Sequence, residues 1–335
     1  MTEQAGPPPP DAQAVEAWRP QRCLLGLPAS VERFIRKAAD SDADAVMLDL
    51  EDSVAPNQKA EARGTVVRML RELDWGDKWL TVRINDMDSE WAYRDLIELG
   101  EQCPRLDAFM IPKVESVKPM YAVDLLLRGV ERAARRSRPF ALDILIESVQ
   151  GLGQIDAIAA ATPRLRSISF GPGDYAASIR SRIPLVGAPD PDYVVLTNPD
   201  DEGRRATHWN DVWHYPLARI AATCHAHGLR PLDGPFPDVN DMDGYRASAR
   251  RARALGFVGK WALHPSQVEH ANAVFGPTET EVAQARKIVE ALAQAYRNGE
   301  GEVLLEGKLI NMAHRRMAVQ VLQAAGEDVA ALADT

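Results

Sequence analysis

Cysteine, positive charge and long apolar runs are all in short supply in this chain, and each shortage excludes something. Three cysteines occur in 335 residues, Cys23, Cys103 and Cys224, too few and too scattered for a disulfide framework or a paired-cysteine metal site. A reducing cytoplasm is the compartment such usage points to. No apolar stretch approaches a membrane span, and the N-terminus lacks the basic-then-apolar pattern of a signal peptide. Lys and Arg number 39 against 48 Asp and Glu, a formal charge of -9. That balance argues against a nucleic-acid groove and leaves room only for a local basic patch.

Several familiar catalytic motifs are missing as well. Gly151 and Gly153 follow a strand and open a helix as a dinucleotide fingerprint does, but Asp156 stands where the third glycine is needed. No serine or cysteine sits in an elbow motif, so covalent catalysis has no candidate. The run from Cys224 to His227 has helical context and the wrong spacing for two ligands to share a face. Trp209 and Trp213 lie at helical spacing, which reads as packing.

What the chain does have is 46% hydrophobic residues, enough for a substantial core, arranged in a regular alternation. Residues 1–18, with their PPPP run, read as a disordered leader. Strand-like runs follow at CLLGLP, AVMLDLED, WLTVRIND, AFMIPKVES, LDILI, SISF, LRPLDGP and VGKWALHP, with helical patterns between them. A polar, proline-containing excursion occupies about 179–210. Eight strands alternating with helices, apolar through their middles, predict a (β/α)8 TIM barrel over residues 19–275. Residues 276–335 hold no further strand-helix unit. They read as two helices flanking a short VLLEGKLI segment, a C-terminal helical lid or a hairpin packed on the barrel wall.

The chemistry of such a barrel is built where its strands end. Those positions carry Ser30, Glu51 with Asp52, Arg83 with Asn85, Lys113, Glu147, Asp174, Asp233 and His264. The central unit runs from Leu142 to Ser178: two strands joined by a helical segment from about Gly151 to Ala160, with Glu147 after the first and Asp174 after the second. If the strands are parallel neighbours, both carboxylates emerge at one edge. Two acids without histidine or cysteine make an all-oxygen site suited to Mg2+. The plainer alternative is that Glu147 caps a helix and Asp174 sits in a turn.

The stretches LDLEDSVAP, TVRIND, MIPKVES, ILIES, FGPGDYAAS, PLDGPF, GKWALHPSQV, VFGPTETEVAQAR and EGKLIN together resemble the citrate lyase β-subunit-like family of acyl-CoA lyases, in particular its malyl-CoA and β-methylmalyl-CoA lyases. The resemblance runs from about Arg22 to the last helix. It implies a barrel enzyme dependent on Mg2+, with Mn2+ as a substitute. The implied reaction makes or breaks a carbon-carbon bond in a 3-hydroxyacyl-CoA, such as malyl-CoA to acetyl-CoA and glyoxylate. It also implies a homo-oligomer, a trimer or hexamer, in which the C-terminal segment closes a neighbouring subunit's site. By the same resemblance Glu147 and Asp174 bind the metal, and Glu51 and Asp52 hold its waters. Arg83 stabilises the thioester enolate, and Lys37, Leu263 and His264 contact CoA.

The chain departs from the pattern twice. Around the first strand it reads GLPASV, with Gly26, Ala29 and Val31, where the family has a phenylalanine and an arginine around a Pro-Gly-Ser turn. In the tail, Asn311 closes the motif Gly307-Lys308-Leu309-Ile310-Asn311 where the family places a proton-transferring aspartate. An amide accepts no proton, and general-base catalysis contributes roughly 10²–10⁴-fold, about 3–5 kcal/mol of barrier. Two other readings therefore stand beside the lyase: a malyl-CoA thioesterase, and a CoA-ester-binding paralogue with weak lyase activity.

Overall fold

Runs that are apolar without interruption need a partner on each face, and a closed barrel wrapped in helices provides one. The computed structural model describes residues 19–183 and 185–327. The expected leader (1–18), the last eight residues of the tail and the side chain of Trp209 lie outside the described residues. The strands are β1 (Cys23–Pro28), β2 (Ala45–Asp49), β3 (Trp79–Arg83), β4 (Ala108–Ile111), β5 (Ala141–Ile146), β6 (Leu165–Phe170), β7 (Val194–Leu196), β8 (Thr207–Trp209), β9 (Arg230–Asp233), β10 (Gly259–Ala262), β11 (Glu302–Leu305) and β12 (Lys308–Asn311). Eight of them, β1 to β6 with β9 and β10, close into a barrel in which β10 pairs back onto β1. Every pairing in it is parallel, so all eight chain exits lie at one rim. The (β/α)8 fold is as the sequence pattern implies.

Alternate residues of each strand serve different layers. Leu24, Met47, Trp79, Met110, Leu145, Leu232 and Trp261 fill the interior in a cluster made of strand residues alone. Their neighbours Leu25, Val46, Leu48, Val82 and Ile144 face outward and pack with helix residues such as Ile35, Val66 and Leu96. Trp213 is buried in that outer layer and donates from Nε1 to the carbonyl of Ala188 at 2.8 Å, the packing role its spacing suggests.

Three local features differ from the sequence pattern. The helical segment after β5 is two short helices, Val149–Gly153 and Ile155–Ala159, broken at Gln154. The polar excursion contains an antiparallel hairpin of β7 and β8. In the tail, VLLEGKLI is not a plain linker but a second hairpin of β11 and β12. Its turn places Glu306 and Gly307 at φ +49° and +78°, the two successive positive φ values of the turn type that matches strand twist. Helices Glu279–Arg297 and Met312–Ala324 flank this hairpin and pack through Ala285, Val289, Ala318 and Leu322. Among the described residues no helix is long and apolar enough to cross a membrane.

Candidate active site

The rim of the barrel gathers charge from five strands, β2 to β6. β2 ends on Asp49, whose carboxylate accepts from the N–H of Glu51 at 2.8 Å and from the Ser53 hydroxyl at 2.5 Å. Asp49 lies beside Arg83 in the β2–β3 register, and the guanidinium grips it with two hydrogen bonds of 2.7 and 2.6 Å. The third guanidinium nitrogen, Nη1, lies 3.3 Å from Glu51. Arg83 is thus a fixed, buried cation held by Asp49, and its own burial is offset by these acids, which keep its pKa raised.

Glu51 is 4% exposed and is ringed by donors. Lys113 Nζ lies 2.5 Å from its Oε1, and the Asp52 N–H donates to its Oε2 at 3.0 Å. Lys113 Nζ also reaches the exposed Asp52 at 3.3 Å. Burial raises the pKa of Glu51 despite Arg83 and Lys113. Lys59, itself buried, donates to the carbonyls of Leu50 and Glu51 at 2.8 and 2.7 Å and so fixes the loop that carries the two acids.

Glu147 follows β5 and is buried. It caps no helix: Ser148 does that, accepting from the Gly151 N–H at 3.1 Å. Its Oε1 accepts from the Lys113 N–H at 2.7 Å. Burial pushes the carboxyl up to about 8 against that hydrogen bond, and the charges of Asp174 and Glu51 add to the rise. Asp174 sits exposed in the first turn of helix Pro172–Ser178, and the Ser178 hydroxyl accepts from the Val149 N–H at 3.2 Å, tying that helix to the loop after Glu147. Gly171 lies between the two acids in sequence, and a Cβ there would stand 2.7 Å from Glu147 Oε2. Only glycine leaves the carboxylate its place.

A divalent cation suits this donor set. Once Glu147 has lost its proton, Asp49, Glu51, Asp52, Glu147 and Asp174 carry five negative charges against the three positive ones of Lys59, Arg83 and Lys113, which leaves two uncompensated. One Mg2+ carries that charge. No group of three or more His, Cys, Asp or Glu is arranged to hold a metal among the described residues, so any ion at Glu147 and Asp174 must keep several waters, as Mg2+ does.

Other residues of the sequence reading fall elsewhere. Leu263 and His264 are exposed just past β10, with His264 Nδ1 accepting from the Ser266 N–H at 3.2 Å. Lys37 is exposed in the last turn of helix Glu32–Ala39, outside the carboxylate cluster. Asn85 is no rim group: its side chain donates to Asp95 at 2.7 Å, and Asp95 pairs with Arg63. Asp233 is buried against Lys260 at 2.6 Å and likewise leaves the mouth. Asn311 ends β12 as the N-cap of the last helix, its Oδ1 accepting from the Ala313 N–H at 3.1 Å. Asp49 and Lys59 join the site from outside the row of strand-end groups, and the sequence signal for Asp49 is its spacing, two residues before Glu51 in LDLED. A cavity of about 450 Å³ lined by Arg19, Asp107, Arg135 and Arg136 lies where β1, β4 and β5 begin, at the opposite end from this chemistry.

The family model HpcH/HpaI aldolase/citrate lyase matches residues 22–265. An L-malyl-CoA/beta-methylmalyl-CoA lyase of Cereibacter sphaeroides is 44% identical over 326 residues, covering 97% of this chain and 98% of that protein. A (3S)-malyl-CoA thioesterase of the same species is 33% identical, with 93% and 96% covered. Among solved structures, CitE of Mycobacterium tuberculosis in complex with magnesium, acetoacetate and coenzyme A is 27% identical with a TM-score of 0.66, covering 91% of this chain and 98% of that one.

Proposed function

Because the chain belongs to the HpcH/HpaI aldolase/citrate lyase family, we propose that it is a Mg2+-dependent carbon-carbon lyase that splits a 3-hydroxyacyl-CoA such as malyl-CoA, reversibly, into acetyl-CoA and glyoxylate. The observation that carries this reading is the pair Glu147 and Asp174, close enough for the charge of Asp174 to raise the buried Glu147, at a rim left with two surplus negative charges once Glu147 ionises. Mg2+ bound there supplies Lewis acidity to the carboxylate and carbonyl oxygens of the 2-oxo acid.

The chain's own residues have distinct tasks. Glu147 and Asp174 hold the ion, while Glu51 and Asp52 orient water beside it. In cleavage the substrate hydroxyl gives up its proton to water and its oxygen becomes the carbonyl of glyoxylate as the carbon-carbon bond breaks; the electron pair of that bond moves to the thioester, whose enolate takes one proton back from water at carbon, so the step is proton-neutral. Arg83, locked by Asp49, presents positive charge to that enolate without having to reorganise. Leu263, His264 and Lys37 contact CoA from outside the cluster.

The tail closes the site of a neighbouring subunit in a trimer or hexamer. In support, Leu304, Leu309, Met312 and Met317 all stand exposed along β11, β12 and the last helix, an apolar set that a partner would cover. Three buried free thiols suit the cytoplasm.

Asn311 favours a second reading, since an amide at the proton-transfer position slows lyase turnover and leaves thioester hydrolysis or weak turnover as the rival. The test is to incubate the protein with Mg2+, glyoxylate and short acyl-CoAs and weigh the products. A condensed hydroxyacyl-CoA supports the lyase. In a separate incubation with malyl-CoA and Mg2+ alone, free malate and CoA with no glyoxylate released would replace it with the thioesterase.

A further inference from the structure

Lys113 touches acids on both sides of its strand at the rim. β4 lies between β3 and β5, and Lys113 leaves its end in two directions at once. Toward β5, its main-chain N–H donates to Glu147 at 2.7 Å. Toward β2, past β3, its ammonium lies 2.5 Å from Glu51 and 3.3 Å from Asp52. Its φ is +51°, a left-handed conformation that a lysine adopts only when the surroundings enforce it. The next residue supplies part of that enforcement, because the Val114 N–H donates to the Leu145 carbonyl at 3.4 Å and anchors the turn on β5. Glycine would adopt this backbone without strain but would take the ammonium away from Glu51 and Asp52.

We infer that Lys113 is a positioning residue of the lyase reaction, which fixes one metal-binding acid by its backbone and holds the water-orienting acids by its ammonium. The inference rests on the two-carboxylate reading of the site. The ammonium is also the movable positive charge of the cluster, its side chain 35% exposed where that of Arg83 is 11% exposed. It is therefore the cation a divalent ion competes with most directly.

This role has a signature that simple structural damage does not share. In Lys113→Met the backbone contact to Glu147 remains and one positive charge is lost, so calorimetry should show Mg2+ binding about threefold to tenfold tighter. At saturating Mg2+, kcat should fall about tenfold or more with KM for the CoA ester within about twofold, since what is lost is alignment at the reacting centre. Lys113→Arg should move both quantities back toward wild type. Melting temperatures of both variants establish that they fold. Mg2+ affinity that is unchanged or weaker in Lys113→Met, or kcat that is retained, overturns the role of Lys113 while leaving the metal site standing. A wild-type protein that takes up no Mg2+ overturns the two-carboxylate site itself, and this inference with it.

Discussion

At the scale of single residues, the site is a set of carboxylates at different states of tension. Glu147 is buried beside other acids and holds its proton up to about pH 8. To ligate a cation it must lose that proton, so below pH 8 proton and metal compete. Apparent Mg2+ affinity should rise by about tenfold per pH unit up to that point and level off above it. A titration series from pH 6 to 9 that stays flat would remove Glu147 as a ligand. Asn311 offers the opposite experiment, a gain. Its side chain caps the last helix, a task aspartate performs as well as asparagine, so Asn311→Asp should leave the melting temperature almost unchanged. If residue 311 stands at the proton-transfer position, lyase kcat should rise by about 10²–10⁴-fold. An unaltered rate would take Asn311 out of the mechanism.

At the scale of elements, the junction of β6 with helix Pro172–Ser178 decides whether Glu147 and Asp174 can work together. Gly171 makes that junction, and a methyl group there would come within 2.4 Å of Glu147 Cβ. Gly171→Ala should therefore push Glu147 off the Lys113 N–H, weaken Mg2+ binding by about tenfold or more, and destabilise the fold by about 1–3 kcal/mol through overpacking. Calorimetry and thermal unfolding read the two effects separately, and full metal affinity in this variant contradicts the placement of Glu147. The strands of the barrel were legible because each is a short apolar run bounded by turn residues. The tail hairpin was not, since β11 and β12 are half-exposed and their turn hangs on the backbone angles of Glu306 and Gly307. A two-residue Glu-Gly step is a weaker signal than Asn-Gly or Asp-Gly.

At the scale of the whole molecule, the tail and the barrel mouth are proposed to meet only between subunits. Complementation tests that directly: Glu147→Ala subunits keep the tail, and subunits lacking residues 302–335 keep the mouth. Mixed oligomers of the two should regain lyase activity that neither has alone, and continued inactivity of a mixture shown to be assembled means that the tail does not serve a neighbour. The sequence by itself determined the eight barrel strands, the barrel class and the row of polar groups at the strand ends, because strand length and hydrophobic period are local properties. Only the tertiary structure decided which of those groups share a site. Asn85 and Asp233 turn away to Asp95 and Lys260, whereas Asp49 joins Arg83, and Lys113 reaches Glu51 across 62 residues of chain. Inward or outward facing at a rim depends on the register of the closed barrel and on the loop conformation beyond each strand. Both are set by contacts between segments far apart in sequence.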